Sequence, residues 1–161
     1  MNDAARSLLA IQIRNKQRRH IIYPSSIASF CAAVLKSFDQ ESSALSIAFV
    51  SPREMRLINR NYHGHDYATD VLSFCYEGEE VDAIPFLGEI VIAPEVAFTQ
   101  AVRRQTSLDQ ELRRLLVHGV LHLLGYDHEV DRGRMNRIQA KLVRRRFFKD
   151  TPPIEVSKNN P

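Results

Sequence analysis

The segment His118-Gly-Val-Leu-His122-Leu-Leu-Gly125-Tyr-Asp127-His128 constrains this chain more than any other part of its 161 residues. Two histidines four apart on a helix project from one face, one turn above the other. Gly125 lets that helix end in a left-handed turn and fold the chain back, and a third histidine comes three residues later. Three imidazoles converging on one point, with a fourth position left for water or substrate, make the kind of site that zinc enzymes use. Structural zinc is instead closed by four protein ligands, usually rich in cysteine. Burying three imidazoles without a shared partner would leave hydrogen-bonding capacity unused. The spacing therefore predicts that His118, His122 and His128 hold one Zn2+ per chain. Other divalent transition metals also accept imidazole nitrogen.

The spacing His-x3-His-x2-Gly-x2-His matches that of metzincin proteases position for position, with one residue missing. Those enzymes carry glutamate, the general base, directly after the first histidine. Here that position is Gly119, which cannot move a proton. The ligand set is that of a zinc hydrolase without the peptidase base. Asp127 is a candidate outer partner or proton acceptor for the neighbouring His128, or else a turn residue at the helix end. Glu111, one heptad before His118, either faces the same cleft or pairs with the dipole of a helix begun near Ser107.

The length suits one domain with a real core. No apolar run approaches a membrane span, and the first residues show no basic-then-apolar signal pattern, so a cytoplasmic protein is expected. Cys31 and Cys75 lie far apart in apolar contexts and read as buried free thiols rather than a disulfide or ligand pair. A net charge of +3, from 22 basic and 19 acidic residues, hides an uneven layout. Residues 132–149 contain eight Lys/Arg and no Asp/Glu, residues 14–20 are also basic, and acids gather at 77–82. Such a layout fits a polyanionic partner, and equally a solvated helix face.

Strands are predicted at residues 8–13, 45–50, 70–75 and 87–92. Helices are predicted from Pro24, from Pro52 behind a Ser51 cap, from Pro94, from Ser107 with Gln110 three later, and over 131–148. Residues 63–67 read as a loop. Residues 151–161 have the composition of a disordered tail, leaving 1–150 as a single metallohydrolase domain. The order β-α-β-α-β-β-α-α-α predicts an α+β fold: one domain, a small mixed four-stranded sheet packed with about five helices, the metal site on a central helix.

The histidine segment resembles the signature of the YbeY family, bacterial endoribonucleases of rRNA maturation. A second block, Asn59 through Phe74 with Thr69-Asp70-Val-Leu-Ser73-Phe74 at its end, is similar to that family's second helix and the strand after it. A third, Leu87-Gly88-Glu89-Ile-Val-Ile92, is similar to its Leu-Gly-Asp-Ile strand. The resemblance spans residues 45–145. It implies an α+β metalloprotein with zinc on His118, His122 and His128. It further implies cleavage of single-stranded RNA at the 3′ end of 16S rRNA and a part in ribosome quality control, with the small subunit and its proteins as partners and no membrane. The basic stretch 132–149 is compatible, because phosphate contacts dominate nucleic-acid affinity. Two positions depart from the pattern. His63 stands where the family usually has arginine; it offers no bidentate fork for phosphate but could serve as a proton donor. Glu89 replaces the usual aspartate.

Three functions are expected on this basis. The first is a zinc-dependent endoribonuclease, with His63 and Asp127 as candidate catalytic residues. The second is a metal-dependent hydrolase of a peptide-like substrate, weakened by Gly119. The third is a ribosome-associated assembly factor whose metal is structural.

Overall fold

Three helices begin on proline, whose fixed φ suits the first turn and whose missing N–H is no loss there. They are α1 (Pro24–Lys36), α2 (Pro52–His63) and α3 (Pro94–Arg103). Helices α4 (Leu108–Leu123) and α5 (Arg134–Val143) bring the helices among the described residues to five; the computed structural model describes residues 10–76, 78–127, 129–143, 151 and 153–158. The Ser51 hydroxyl accepts the Glu54 N–H at 3.2 Å, the cap that the sequence predicts for α2. At α4 the expectation fails in detail. Ser107 has the extended backbone of a cap but its hydroxyl makes no capping bond. Gln110 is instead hydrogen-bonded to Thr106.

The strands are β1 (Ile11–Asn15), β2 (His20–Ile22), β3 (Ala44–Phe49), β4 (Val71–Cys75), β5 (Glu80–Val81), β6 (Ile84–Ile92) and β7 (Val156–Lys158). The main sheet has the order β1-β3-β6-β4, with β5 added as a hairpin on β6. Strands β1, β3 and β6 run parallel and β4 runs antiparallel to β6. The architecture is the expected one: α+β, a mixed sheet with helices on it. On one face Ile11, Leu45, Ile47, Phe49, Ile90 and Ile92 form the main core with α1 and α4. On the other, Ala48, Val91 and Phe74 pack with Met55 and Ile58 of α2. Helix α4 carries Leu112, Leu115, Leu116 and Val120, all buried, into the main core.

Two expectations are corrected. Within the segment 151–161 predicted to be a disordered tail, Val156–Lys158 pairs as β7, antiparallel to β2, while residues 152 and 159–161 lie outside the described residues. Ile154 is buried in the main core, and Glu155 accepts the Tyr23 N–H while its own N–H donates to Ser26. One apolar anchor and a strand partner outweigh a tail-like composition. Residues 144–150, the end of the predicted last helix, lie outside the described residues. Both cysteines are free, but only Cys31 is buried; Cys75 is exposed. Burial pushes the Cys31 thiol up to about 12. A thiol reagent at pH 8 should therefore titrate one cysteine in the native protein and two after unfolding. A Cys75→Ser variant should leave no native reaction.

His20, at the start of β2, is buried, and its Nδ1 has no hydrogen-bond partner among the described residues. Its pKa lies below the ordinary histidine value, because burial penalises the cation. Glu95 opposes this, while Lys158 and Arg19 reinforce it. A depressed histidine pKa means that the unfolded chain binds the proton more readily. The stabilising contribution is thus full above the unfolded value of about 6.5 and is lost as pH falls below it. Urea denaturation at pH 7.5 and pH 5.5 should show lower stability at pH 5.5. His20→Phe, which can pack on Phe98 as the imidazole does at 5.9 Å, should flatten that slope.

Candidate metal centre

Helix α4 ends as the sequence predicts. Gly125 takes the left-handed conformation, φ +84°. Its N–H donates to His122 O, and the Tyr126 N–H donates to Leu121 O, both at 3.0 Å. These two bonds together are the Schellman pattern. Tyr126 then packs on the main core and faces the Phe38 ring at 6.3 Å.

His118 and His122 are half-buried on the flank of α4. Their Nε2 atoms lie 3.1 Å apart, with the rings edge to face and their centroids 4.6 Å apart. The Nδ1–H of His118 donates to Gln139 Oε1 of α5 at 2.9 Å. Two imidazole nitrogens on a tetrahedral zinc, each at ~2.0–2.1 Å, stand roughly 3.4 Å apart. The observed separation fits with a shift of a few tenths of an ångström. A metal-binding histidine also directs its other ring N–H to an acceptor, which fixes the tautomer, and His118 has that arrangement. His128 lies outside the described residues. Among those described, no three His, Cys, Asp or Glu side chains cluster as a ligand set.

Gly119 faces the sheet. A Cβ built there would lie 2.8 Å from Ile90 Cδ1 and 2.9 Å from its Cγ2. The position that carries the peptidase base in the spacing-matched proteases is thus occupied by the close approach of α4 to β6. The edge strand β4 abuts the same helix end, with the Cys75 thiol on Leu123 O at 3.7 Å.

Of the two candidate catalytic residues, His63 is the last residue of α2, exposed and stacked on Phe74 with ring centroids 6.3 Å apart. Successive residues of a strand face opposite ways. Phe74 points to α2 and Cys75 to α4, so His63 and the histidine pair flank β4 from opposite faces. The loop beyond His63 is pinned by Asn59 Nδ2 on Tyr67 O at 2.9 Å and by a two-bond pair between Arg56 and Asp66. That pair holds the Asp66 carboxyl below its usual range. The Asp127 carboxylate accepts the Glu129 N–H at 2.9 Å, and the Asp127 carbonyl accepts from Asp131. Its side chain is thus engaged in shaping its own loop. Glu111 is buried and bonded to Arg114 at 2.6 Å, with Arg104 at 3.5 Å; Arg114 also reaches Asp70 at 3.6 Å. This network holds the start of β4 against α4.

Sequence reading missed Gln139. The signal was present: Met135, Ile138 and Leu142 mark the inward stripe of the last helix, and a polar residue four after Met135 falls on that stripe.

The fold and the site define an α+β protein whose central helix ends in a paired-histidine centre, backed by a second helix. A family model described as Endoribonuclease YbeY matches residues 12–146, and the chain belongs to that family. A protein of that name from Thermodesulfovibrio yellowstonii is 42% identical over 102 residues, 62% of this chain and 64% of the relative. One from Aquifex aeolicus is 35% identical over 129 residues, 80% of this chain and 84% of the relative. The chain thus spans just under two thirds of the Thermodesulfovibrio protein and most of the Aquifex one. A solution structure from Thermotoga maritima, 27% identical, superposes with a TM-score of 0.58 over 83% of this chain and 86% of that one.

Placing glutamate at 119, as the protease spacing would require, should not create a peptidase. Gly119→Glu drives a carboxylate into Ile90 and should cost more than about 3 kcal/mol by denaturant unfolding, with no peptide hydrolysis gained. A stable variant with normal unfolding would refute the packing argument.

Proposed function

We propose that this protein is a zinc-dependent, single-strand-specific endoribonuclease that matures the 3′ end of 16S rRNA and serves ribosome quality control in the cytoplasm. In this reading it acts on rRNA in association with the small ribosomal subunit and its proteins. The observation that carries the reading is the pair of Nε2 atoms of His118 and His122, 3.1 Å apart, beside a glycine where a peptidase needs its base. Relatives named as endoribonucleases support the reaction class. The exposed cations Arg134, Arg137 and Lys141 of α5 support a polyanionic substrate. No described helix is long and apolar enough to cross a membrane.

His118, His122 and His128 would hold the metal. When bound, it would supply an acidified water at neutral pH and a positive charge against the phosphoryl oxygens. The protein's own contribution is positional. The end of α4 sets the two imidazoles, Gln139 orients His118, and Asp127 shapes the loop leading to His128. In this reading His63, exposed beside Phe74, would exchange a proton with substrate held along the edge of β4. A peptide-hydrolysing alternative has no support at Gly119.

The test is cleavage of single-stranded and duplex RNA by purified protein, with and without chelator, together with metal analysis. Zinc should co-purify, only single strands should be cut, and chelator should abolish cutting. His118→Ala and His122→Ala should each lose more activity than the ~10–100-fold that outer-shell changes typically cost. Undiminished cutting by both variants would reject the assignment. Ribosome binding without any cleavage would favour an assembly factor with a structural metal.

A further inference from the structure

We infer that Gln139 is a positioning residue of the metal centre: its side-chain oxygen fixes the His118 tautomer and, being uncharged, sets a looser metal affinity than a carboxylate would. The inference rests on the metal reading above and goes beyond it to a residue outside the ligand set. A glutamine oxygen only accepts, so the 2.9 Å contact requires the proton on His118 Nδ1. The Nε2 lone pair of His118 is then directed at His122 Nε2, 3.1 Å away. Removing Gln139 takes away the acceptor that favours the proton on Nδ1 over the nitrogen that a metal needs.

Gln139 is itself held in place. Asp131 opens α5, its carboxylate accepting the N–H of Gly133 at 2.9 Å and of Met135 at 2.6 Å. Met135 is fully buried in the main core, with Ile138 and Leu142 packed against it. The Arg134 guanidinium lies over the Tyr126 ring, 5.5 Å from its centroid. Position 139 is thus aimed at α4 by the same loop that leaves the histidine helix.

The chemistry of the acceptor matters as well as its place. A carboxylate behind a ligating histidine makes the imidazole more basic and offsets the charge of the metal, whereas an amide oxygen orients the ring and adds no charge. A centre built with glutamine should therefore hold its metal less tightly than the same centre built with glutamate.

The experiment measures Co2+ and Zn2+ affinity, by competition with a chromophoric chelator, for wild type, Gln139→Met and Gln139→Glu. Long-range 1H–15N spectra of the metal-free proteins read the His118 tautomer. Gln139→Met keeps the length and loses the acceptor; it should weaken metal binding ~10–100-fold and lose the single Nδ1–H tautomer. Gln139→Glu should keep that tautomer and bind metal more tightly than wild type. A purely structural role would not produce opposite shifts from these two variants. Affinities of all three within twofold of one another overturn the inference while leaving the metal centre standing. Failure of wild type to bind either metal overturns both, and is recognised by loss of binding in every variant alike.

Discussion

Helix α4 can lie against the sheet only because residue 119 has no side chain. A Cβ there would meet three atoms of the buried Ile90 at 3.0 Å or less. This one approach sets the rest of the site. On a helix of 3.6 residues per turn, His122 and His118 stand roughly 60° and 100° round from Gly119 on one side. With Gly119 facing β6, both imidazoles fall along the seam where α4 leaves the sheet, half-buried rather than sunk in the core or fully solvated. A ligand nitrogen in such a seam is sheltered enough to be oriented and open enough to be reached.

The loop and helix beyond α4 turn that seam into a site. The Schellman turn at Gly125 reverses the chain, and the Asp127 and Asp131 carboxylates then hold the backbone of the loop and the start of α5. Acids near a histidine cluster invite a catalytic reading, yet these two side chains accept backbone N–H groups. Their structural consequence is the direction of α5, and so the position of Gln139. Helix, loop and helix form one unit, in which a change at Asp131 would be felt at the His118 ring. The Glu111–Arg114–Asp70 network does the corresponding work at the other end, fixing the start of β4 to α4.

The elements that carry strong local signals were legible in the sequence. Proline at the first turn of α1, α2 and α3, the Ser51 cap, the apolar stripe of α4 and the glycine stop at 125 each arise from side-chain chemistry within a few residues. The short strands were not legible. The β5–β6 hairpin turns on Asp82 and Ala83, both with positive φ, at 51° and 60°. Asn-Gly or Asp-Gly is the recognisable form of such a turn, and alanine there gives no warning. Strands β2 and β7 stabilise each other across the length of the chain, so neither is visible alone. Within the site, the spacing foretold that His118 and His122 share a face, but not which atom of which helix would meet them. Gln139 Oε1 depends on how α5 docks, which is a tertiary property. The same limit applies to Glu111: its place on the helix was readable, its buried partners were not.

The electrostatics of the site come from the same geometry. The position where the YbeY resemblance expects arginine is His63, an exposed ring resting on Phe74. Its neighbours Arg56 and Arg60 are drawn to Asp66, at 2.7 and 4.0 Å, which offsets part of the positive charge on that side of β4. The exposed cations Arg134, Arg137 and Lys141 lie instead on α5, the helix whose inward side holds His118. Under the RNA reading, phosphate attraction falls mainly to that helix, since cationic contacts supply most nucleic-acid affinity. One element would then both orient the metal ligand and draw the polyanion, and a substrate strand approaching α5 would be led along the seam that holds the two histidines. His63 stays exposed on Phe74, on the other face of β4 from that seam.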